Sequence, residues 1–306
     1  MVNKIVIPSV IMAIILSATG TAYYYDLDDD SEKPVIVFDS EPEEHLEIHF
    51  IDVRQGDSTL MITPGGYSIL VDGGNNGRGH DVASYIKGLG INEIDLMVAT
   101  HPDADHIGGL DEVISAMPVN HVMDNGQEHP RHTDTYRDHI EAIKGIERTI
   151  VREDTLWVID DDMDIEIIVP YDDGAGLKRS DLNANSILLK ASYGGTSVLL
   201  TGDCEKTCES RILAGDMDDS IGDDINVDIL KIGHHGSETS TSDEFLFETD
   251  PEFVVISVGN NQWGLPKESI LEKLRNYPAD IYRTDVNGTV IVTIDVNGNS
   301  LLGLSK

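Results

Sequence analysis

The sequence predicts a single α/β domain built on two β-sheets. Three observations carry this expectation. From residue 46 onward short apolar runs alternate with turn chemistry, segments of helical period lie between them, and no Pro- or Ser-rich break divides the chain. With 306 residues, 40% hydrophobic and 25% charged, the chain has the composition of a soluble globular protein and is long enough to bury a proper core.

The N-terminal segment stands apart. Lys4 precedes an uncharged apolar run, Ile5 to Ala18, and the small residues Gly20 and Ala22 follow. This is the pattern of a secretory signal peptide over residues 1–22. The run is also borderline long for a spanning helix, so an uncleaved membrane anchor or tether through residues 5–22 stays open. Either way the body is expected to be extracytoplasmic, secreted or anchored. Residues 23–45, rich in Asp, Glu, Ser and Pro, read as an acidic flexible linker, which leaves 46–306 as the folded domain.

Within that domain, residues 46–53, 58–63 and 67–72 read as strands, the last two separated by Pro64-Gly65-Gly66. Val82, Tyr85, Ile86 and Leu89 fall at helical spacing. Residues 95–100 form a short apolar strand, and a helix begins near Gly108. The middle of the chain predicts a strand, a helix over 134–146 and more strands up to Val169-Pro170. Two clean strands, 186–192 and 196–201, flank Tyr193-Gly194-Gly195. Buried strands at 227–232 and 253–258 and a helix over 268–276 follow. The two copies of Asp-Val-Asn-Gly, at 285–288 and 295–298, both predict Asn-Gly hairpin turns, so the C-terminus is expected to be a meander.

The charge balance is unusual: 21 basic residues face 56 acidic ones, a net −35. Such a surface repels nucleic-acid backbones at long range and stays soluble in strong salt, so salt adaptation is the preferred reading over acidic partner binding. The two cysteines, Cys204 and Cys208, are spaced i, i+4. On a helix that spacing is poor geometry for a disulfide, so both are expected to be packing residues.

The chemistry concentrates in Thr100-His101-Pro102-Asp103-Ala104-Asp105-His106-Ile107-Gly108-Gly109. Four potential ligands, His101, Asp103, Asp105 and His106, fall within six residues directly after a buried strand. Imidazole and carboxylate are the ligand set of zinc, manganese or iron, and a tight loop at a strand end can aim several at one spot. Asp203 ends another strand, where a carboxylate bridging two metals would sit. His234 and His235 end a third. In an extended segment adjacent side chains point to opposite sides, so one of the two is expected to be a ligand and the other a substrate or supporting contact. His121, His129, His132 and His139 are irregularly spaced in a polar region and read as exposed surface residues, as do Asp134, Asp138 and the acidic cluster at 160–164. Trp263 reads as a buried or interface residue rather than a base-stacking one. No glycine-rich phosphate loop or dinucleotide fingerprint occurs.

Five segments in this order, FIDVRQGDS, LVDGG, THPDADHIGGL, LLTGD and KIGHHGS, resemble the metallo-β-lactamase superfamily, and most of all the ComEC-like competence-protein domain. The resemblance covers roughly residues 46–295 and implies a four-layer αββα sandwich, with the site where loops meet along one edge of the two sheets. It implies His101, Asp105, His106, Asp203 and a histidine of the 234–235 pair as metal ligands. Asp103 stands where the wider superfamily has histidine, although ComEC-like domains often carry Asp there. Asp72 falls at the family's structural aspartate. Gln55 and Asp57 lie in a motif near the site, and Asn185 and Ser186 stand where many members place a further histidine. Three departures stand out. Arg54 replaces the family's usual glycine, Leu265 follows Gly264 where ComEC-like domains commonly carry histidine, and no segment after residue 22 could supply a membrane channel.

These residues predict an exported metal-dependent hydrolase with one or two divalent ions, Zn²⁺ or Mn²⁺, working through a metal-bound hydroxide, with Asp105 orienting or deprotonating the water. The resemblance to ComEC-like domains implies a phosphodiester, nucleic acid included, as the first substrate class. Another ester, lactone or amide is the second, and a metal-stabilised binding module without catalysis is the third reading.

Overall fold

A computed structural model describes residues 45–152, 155–160, 163–168, 181–214 and 225–306, together with the backbone of three short N-terminal strands. Those strands, β1 (Ile11–Ile15), β2 (Ala22–Asp26) and β3 (Val35–Ile36), pair antiparallel. The rest of 1–44, and with it most of the signal or anchor segment and the acidic linker, lies outside the described residues. Among the described residues no helix is long and apolar enough to cross a membrane.

The first large sheet opens with β4 (His45–Phe50), β5 (Thr59–Ile62), β6 (Ser68–Val71), β7 (Ile94–Ala99), β8 (Val119–Asp124) and β9 (Glu147–Ile150). The second contains β10 (Thr155–Asp160), β11 (Met163–Ile168), β12 (Leu188–Tyr193), β13 (Thr196–Leu200), β14 (Ile229–Lys231), β15 (Phe253–Ile256) and β16 (Asp280–Arg283). The chain then returns to the first sheet as β17 (Val290–Asp295) and β18 (Ser300–Leu304). The sheet orders are β18-β17-β4-β5-β6-β7-β8-β9 and β10 through β16 in sequence. The two-sheet α/β expectation holds, as a sandwich with helices outside.

Period-two burial explains why both faces are apolar. Leu46, Ile48 and Phe50 of β4, Met61 of β5, and Leu96 and Val98 of β7 join Ile165, Ile167, Ala191, Val198 and Ile229 in the largest core cluster. Their neighbours Leu60, Leu70, Met97 and Val122 face the other way, onto Val82 and Ile86 of helix α1 (Gly79–Gly88) and Leu110 and Val113 of α3 (Leu110–Ala116). Between those helices runs the single turn α2 (Ala104–Ile107). α1 stops because Gly90, at φ 87, takes the left-handed position that closes a helix end. Helix α4 (Asp134–Ala142) ends four residues earlier than expected. Over the second sheet lie α5 (Lys206–Leu213), α6 (Asp243–Thr249) and α7 (Glu268–Arg275), whose Cys208, Phe245 and Leu274 extend its core. Each fully buried Leu, Ile or Phe contributes roughly 1.5–3 kcal/mol of transfer free energy.

Both sheets are mixed, with parallel pairing from β6 to β9 and from β13 to β16, because helices cross between successive strands. Two expectations are corrected. The first Asp-Val-Asn-Gly is not a hairpin: residues 284–287 form the helical turn α8 (Thr284–Asn287) that carries the chain from one sheet to the other. The second copy is the β17–β18 hairpin turn. Cys204 and Cys208 form a disulfide with Cα atoms 5.5 Å apart. The helix argument fails here because Cys204 precedes α5, which starts at Lys206, so the two residues do not share a helical spacing.

Candidate metal centre

The site forms at the C-terminal ends of strands from both sheets. β6 leads into Asp72, β7 into His101, β13 into Asp203, β14 into His234-His235, and β15 into Ser257. Parallel register sets Val71 beside Val98 and Leu199 beside Leu230, so loops far apart in sequence leave the sheets at the same level.

Three buried histidines aim Nε2 at one region. His106 Nε2 lies 3.2 Å from Asp203 Oδ1, His235 Nε2 lies 3.7 Å from the same oxygen and 3.3 Å from Asp105 Oδ2, and His101 Nε2 lies 4.0 Å from Asp203 Oδ2. Within the groups whose ligand atoms all lie within 4.8 Å of one another are His101, His106 and Asp203, and Asp105, His106 and His235. The Nε2 atoms of His101, His106 and His235, with Asp203 Oδ1, are buried without a hydrogen-bond partner among the described residues. Leaving four such groups unmet would be costly, and one or two divalent cations would satisfy them. The residues therefore fit a metal.

The opposite ring nitrogen of each histidine is tied down, which fixes the direction of Nε2. His106 Nδ1 contacts Asp72 Oδ2 at 2.7 Å, while Asp72 accepts from Thr100 N (2.9 Å) and Thr100 Oγ1 (2.7 Å). His101 Nδ1 meets Thr100 Oγ1 and Ser186 Oγ, and that serine also accepts from Asp203 N at 3.1 Å. His235 Nδ1 donates to the Ser257 carbonyl at 2.8 Å. Asn185 is buried, and its carbonyl accepts from Asn125 Nδ2. Gln55 Oε1 accepts from Gly259 N at 3.3 Å. Asp57 N donates to the Asp105 carbonyl at 3.0 Å, and the Asp57 carboxylate pairs with Lys231.

His234 and His235 are not in extended backbone, as expected from sequence, but in consecutive left-handed conformations, φ 48 and 53. Such strain in non-glycine residues is kept where the surroundings over-determine it. The turn sends His235 into the cluster and leaves His234 half-buried, 3.3 Å from Glu205 Oε1 and 3.7 Å from Asp203 Oδ2.

The ionisation pattern describes a hole for positive charge. Burial opposes the charged form of His235, but Asp203 and Asp57 outweigh it and push the ring up to about 10. His106 is likewise raised against its burial by Asp203 and Asp72. His101, which lacks comparable compensation, is pushed down to about 3 by burial and by His106. Burial, with Asp105 and Asp203 nearby, raises Asp103 to about 6. Protons on His106 and His235 thus stand in for the cation that the carboxylates call for.

Several residues were misread or missed in the sequence. His129 is buried, with Nε2 3.7 Å from Asp103 Oδ1, and His139 is buried too, so neither is a surface residue. His129 lies on a folded loop, and His139 is the buried position of the largely polar helix α4, so neither stands in an apolar pattern that would signal burial. Trp263 is 54% exposed rather than buried. Lys231 was overlooked, although a lysine closing an apolar strand two residues before Gly-His-His is a readable signal.

The metallo-β-lactamase superfamily model matches residues 51–259, and the chain belongs to that superfamily. It is 29% identical over 264 residues to ComE operon protein 3 of Bacillus subtilis, covering 80% of this chain and 32% of that protein. It is 31% identical over 252 residues to Recombination protein 2 of Haemophilus influenzae, covering 80% and 28%. The chain thus spans about a third of the length of these curated relatives. Among solved structures, Igni18, a metallo hydrolase from Ignicoccus hospitalis, aligns with TM-score 0.50 at 15% identity over 81% of this chain and 98% of its own. CmlA, a diiron β-hydroxylase from Streptomyces venezuelae, aligns at 0.50 and 12% identity over 84% and 55%. At these identities the structural likeness is one of fold.

Proposed function

We propose that this chain is an exported metal-dependent phosphodiesterase. The carrying observation is the convergence of His101, His106 and His235 Nε2 with Asp203 Oδ1, all buried and without hydrogen-bond partners. One or two divalent ions, Zn²⁺ or Mn²⁺, held there would supply Lewis acidity and an activated water at neutral pH. His106, His235, Asp105 and Asp203 would hold one ion, and His101 and Asp103 would contribute to a second, with Asp203 between them. Asp105, only partly buried and 3.3 Å from His235, is placed to orient the attacking water and take its proton. Asp72, Ser186 and the Ser257 carbonyl hold the rings so that these distances persist.

The similarity to a competence-operon protein and a recombination protein supports a phosphodiester in nucleic acid as the substrate class. The Cys204–Cys208 disulfide supports an oxidising compartment and hence export.

The test is turnover of bis(p-nitrophenyl) phosphate and of single- and double-stranded DNA by metal-stripped protein given Mn²⁺ or Zn²⁺, at high and low salt, with Asp105→Ala as control. Metal-dependent cleavage that disappears in the variant is the expected result. Stoichiometric metal binding with no cleavage of any phosphodiester would overturn it.

A further inference from the structure

We infer that Arg54 and Trp263 form a two-point nucleotide clamp beside the metal centre, the guanidinium taking a backbone phosphate and the indole stacking on the adjoining base. This rests on the phosphodiesterase reading and adds how the substrate is held.

Arg54 occupies a left-handed backbone position, φ 66, where a glycine would sit without strain. A side chain retained there against that strain points to use of the side chain. The residue is exposed, and its guanidinium makes no ion pair or hydrogen bond among the described residues, in a chain with 56 acidic residues. Its loop abuts the ligand loop: two residues on, Gly56 packs so closely that a Cβ there would lie 2.5 Å from the Asp105 carbonyl.

Trp263 comes from a loop locked to the same neighbourhood. Gly259 lies against the Arg54–Gln55 backbone, where a Cβ would fall 2.6 Å from Arg54 Cα. Asn261 Oδ1 accepts from Trp263 N and Leu265 N, and its Nδ2 donates to the Gly259 and Leu265 carbonyls. The far end is fixed by Lys267 N donating to the Gly236 carbonyl at 2.9 Å, one residue after His235. Lys267 Nζ also donates to the Trp263 carbonyl, at 2.7 Å. The loop is therefore ordered before any ligand arrives, yet it presents a large aromatic ring that is 54% exposed.

A cation and an exposed aromatic on two adjoining rigid loops are the elements that bind single-stranded nucleic acid. The net charge of −35 sets the scale of the interaction. With long-range attraction to a polyanion lost, affinity has to come from a few close contacts, so a clamp on one nucleotide unit replaces a basic groove tracking many phosphates.

The experiment compares cleavage of oligothymidylate with cleavage of a strand of equal length made of abasic deoxyribose phosphates, using full-length protein with Mn²⁺. Wild type is expected to show a KM about tenfold lower on oligothymidylate. Trp263→Ala should erase that difference with kcat little changed, and Arg54→Gly should raise KM on both strands. In parallel, oligothymidylate binding to the Asp105→Ala variant is followed by tryptophan fluorescence, with quenching expected and expected to vanish on adding Trp263→Phe. Equal KM for the two strands in wild type, or a base preference that survives Trp263→Ala, would overturn the clamp and leave the phosphodiesterase reading standing. Trp263-dependent quenching without cleavage of any phosphodiester would do the reverse.

Discussion

Lys231 Nζ lies 2.5 Å from Asp57 Oδ2, and both side chains are almost wholly buried beside His235. The pair spans the sandwich, since Asp57 follows a strand of the first sheet and Lys231 ends one of the second. Burial alone would raise the Asp57 carboxyl, but Lys231 and His235 hold it far below the usual carboxylate range. Lys231 Nζ also donates to the Gly202 and Ile232 carbonyls, so its ammonium is well satisfied. Lys231→Met would leave a buried carboxylate without its cation and is expected to cost roughly 3–5 kcal/mol in denaturant unfolding. Adding Asp57→Asn should recover much of that loss; equal stability of the single and double variants would show that the pair is not the cause.

Asp72 acts through its neighbours. It receives His106 Nδ1 and both Thr100 donors, from a left-handed backbone position at φ 59. Asp72→Asn retains the size but loses the carboxylate that steadies the His106 ring. Metal affinity, measured by competition with a chromogenic chelator, is expected to fall about 10–100-fold. An unchanged affinity would show that His106 is oriented without it.

His139, which is not among the candidate ligands, supplies a pH signature of its own. Burial pushes its pKa down to about 4, and its Nδ1 has no hydrogen-bond partner among the described residues. The folded state therefore favours the neutral ring. The unfolded chain binds a proton near 6.5, so this contribution is complete above pH 6.5 and is lost as pH falls toward 4. The full loss is on the order of 3 kcal/mol. His139→Leu should flatten the fall in stability between pH 6.5 and 4 relative to wild type, as read by thermal unfolding across that range.

Removing metal should loosen the whole body, because the cluster ties loops from both sheets. Adding Mn²⁺ or Zn²⁺ at about a hundred times its Kd to stripped protein is expected to stabilise it by roughly 2.7 kcal/mol. Differential scanning calorimetry reads this as a rise in Tm, and Asp203→Ala should abolish most of it.

Local pattern made the strands legible. Leu46, Ile48 and Phe50 alternate on one face, and the turn Pro64-Gly65-Gly66 separates β5 from β6. The cluster at 101–106 was legible because its four candidate ligands fall within six residues directly after a strand. The parallel order β13-β14-β15-β16 was not, since it depends on which distant strands pair rather than on any segment's own periodicity. The left-handed turn at His234-His235 was hidden for a related reason: neither residue favours positive φ, so only packing reveals it. Lys231 and His129 escaped because a polar side chain in isolation reads as solvent-facing, and its buried partners come from elsewhere in the chain.

The strand that opens the body and one of the last to join it are neighbours: β4 and β17 pair antiparallel, with His45 opposite Asp295. The order β18-β17-β4 places the last strand one position further out, so the C-terminal strands complete the first sheet beside the strand that opened it. The seam is a β-ladder rather than a flexible joint, so trimming the chain before β17 would strip β4 of a neighbour and open the sheet instead of merely shortening a tail.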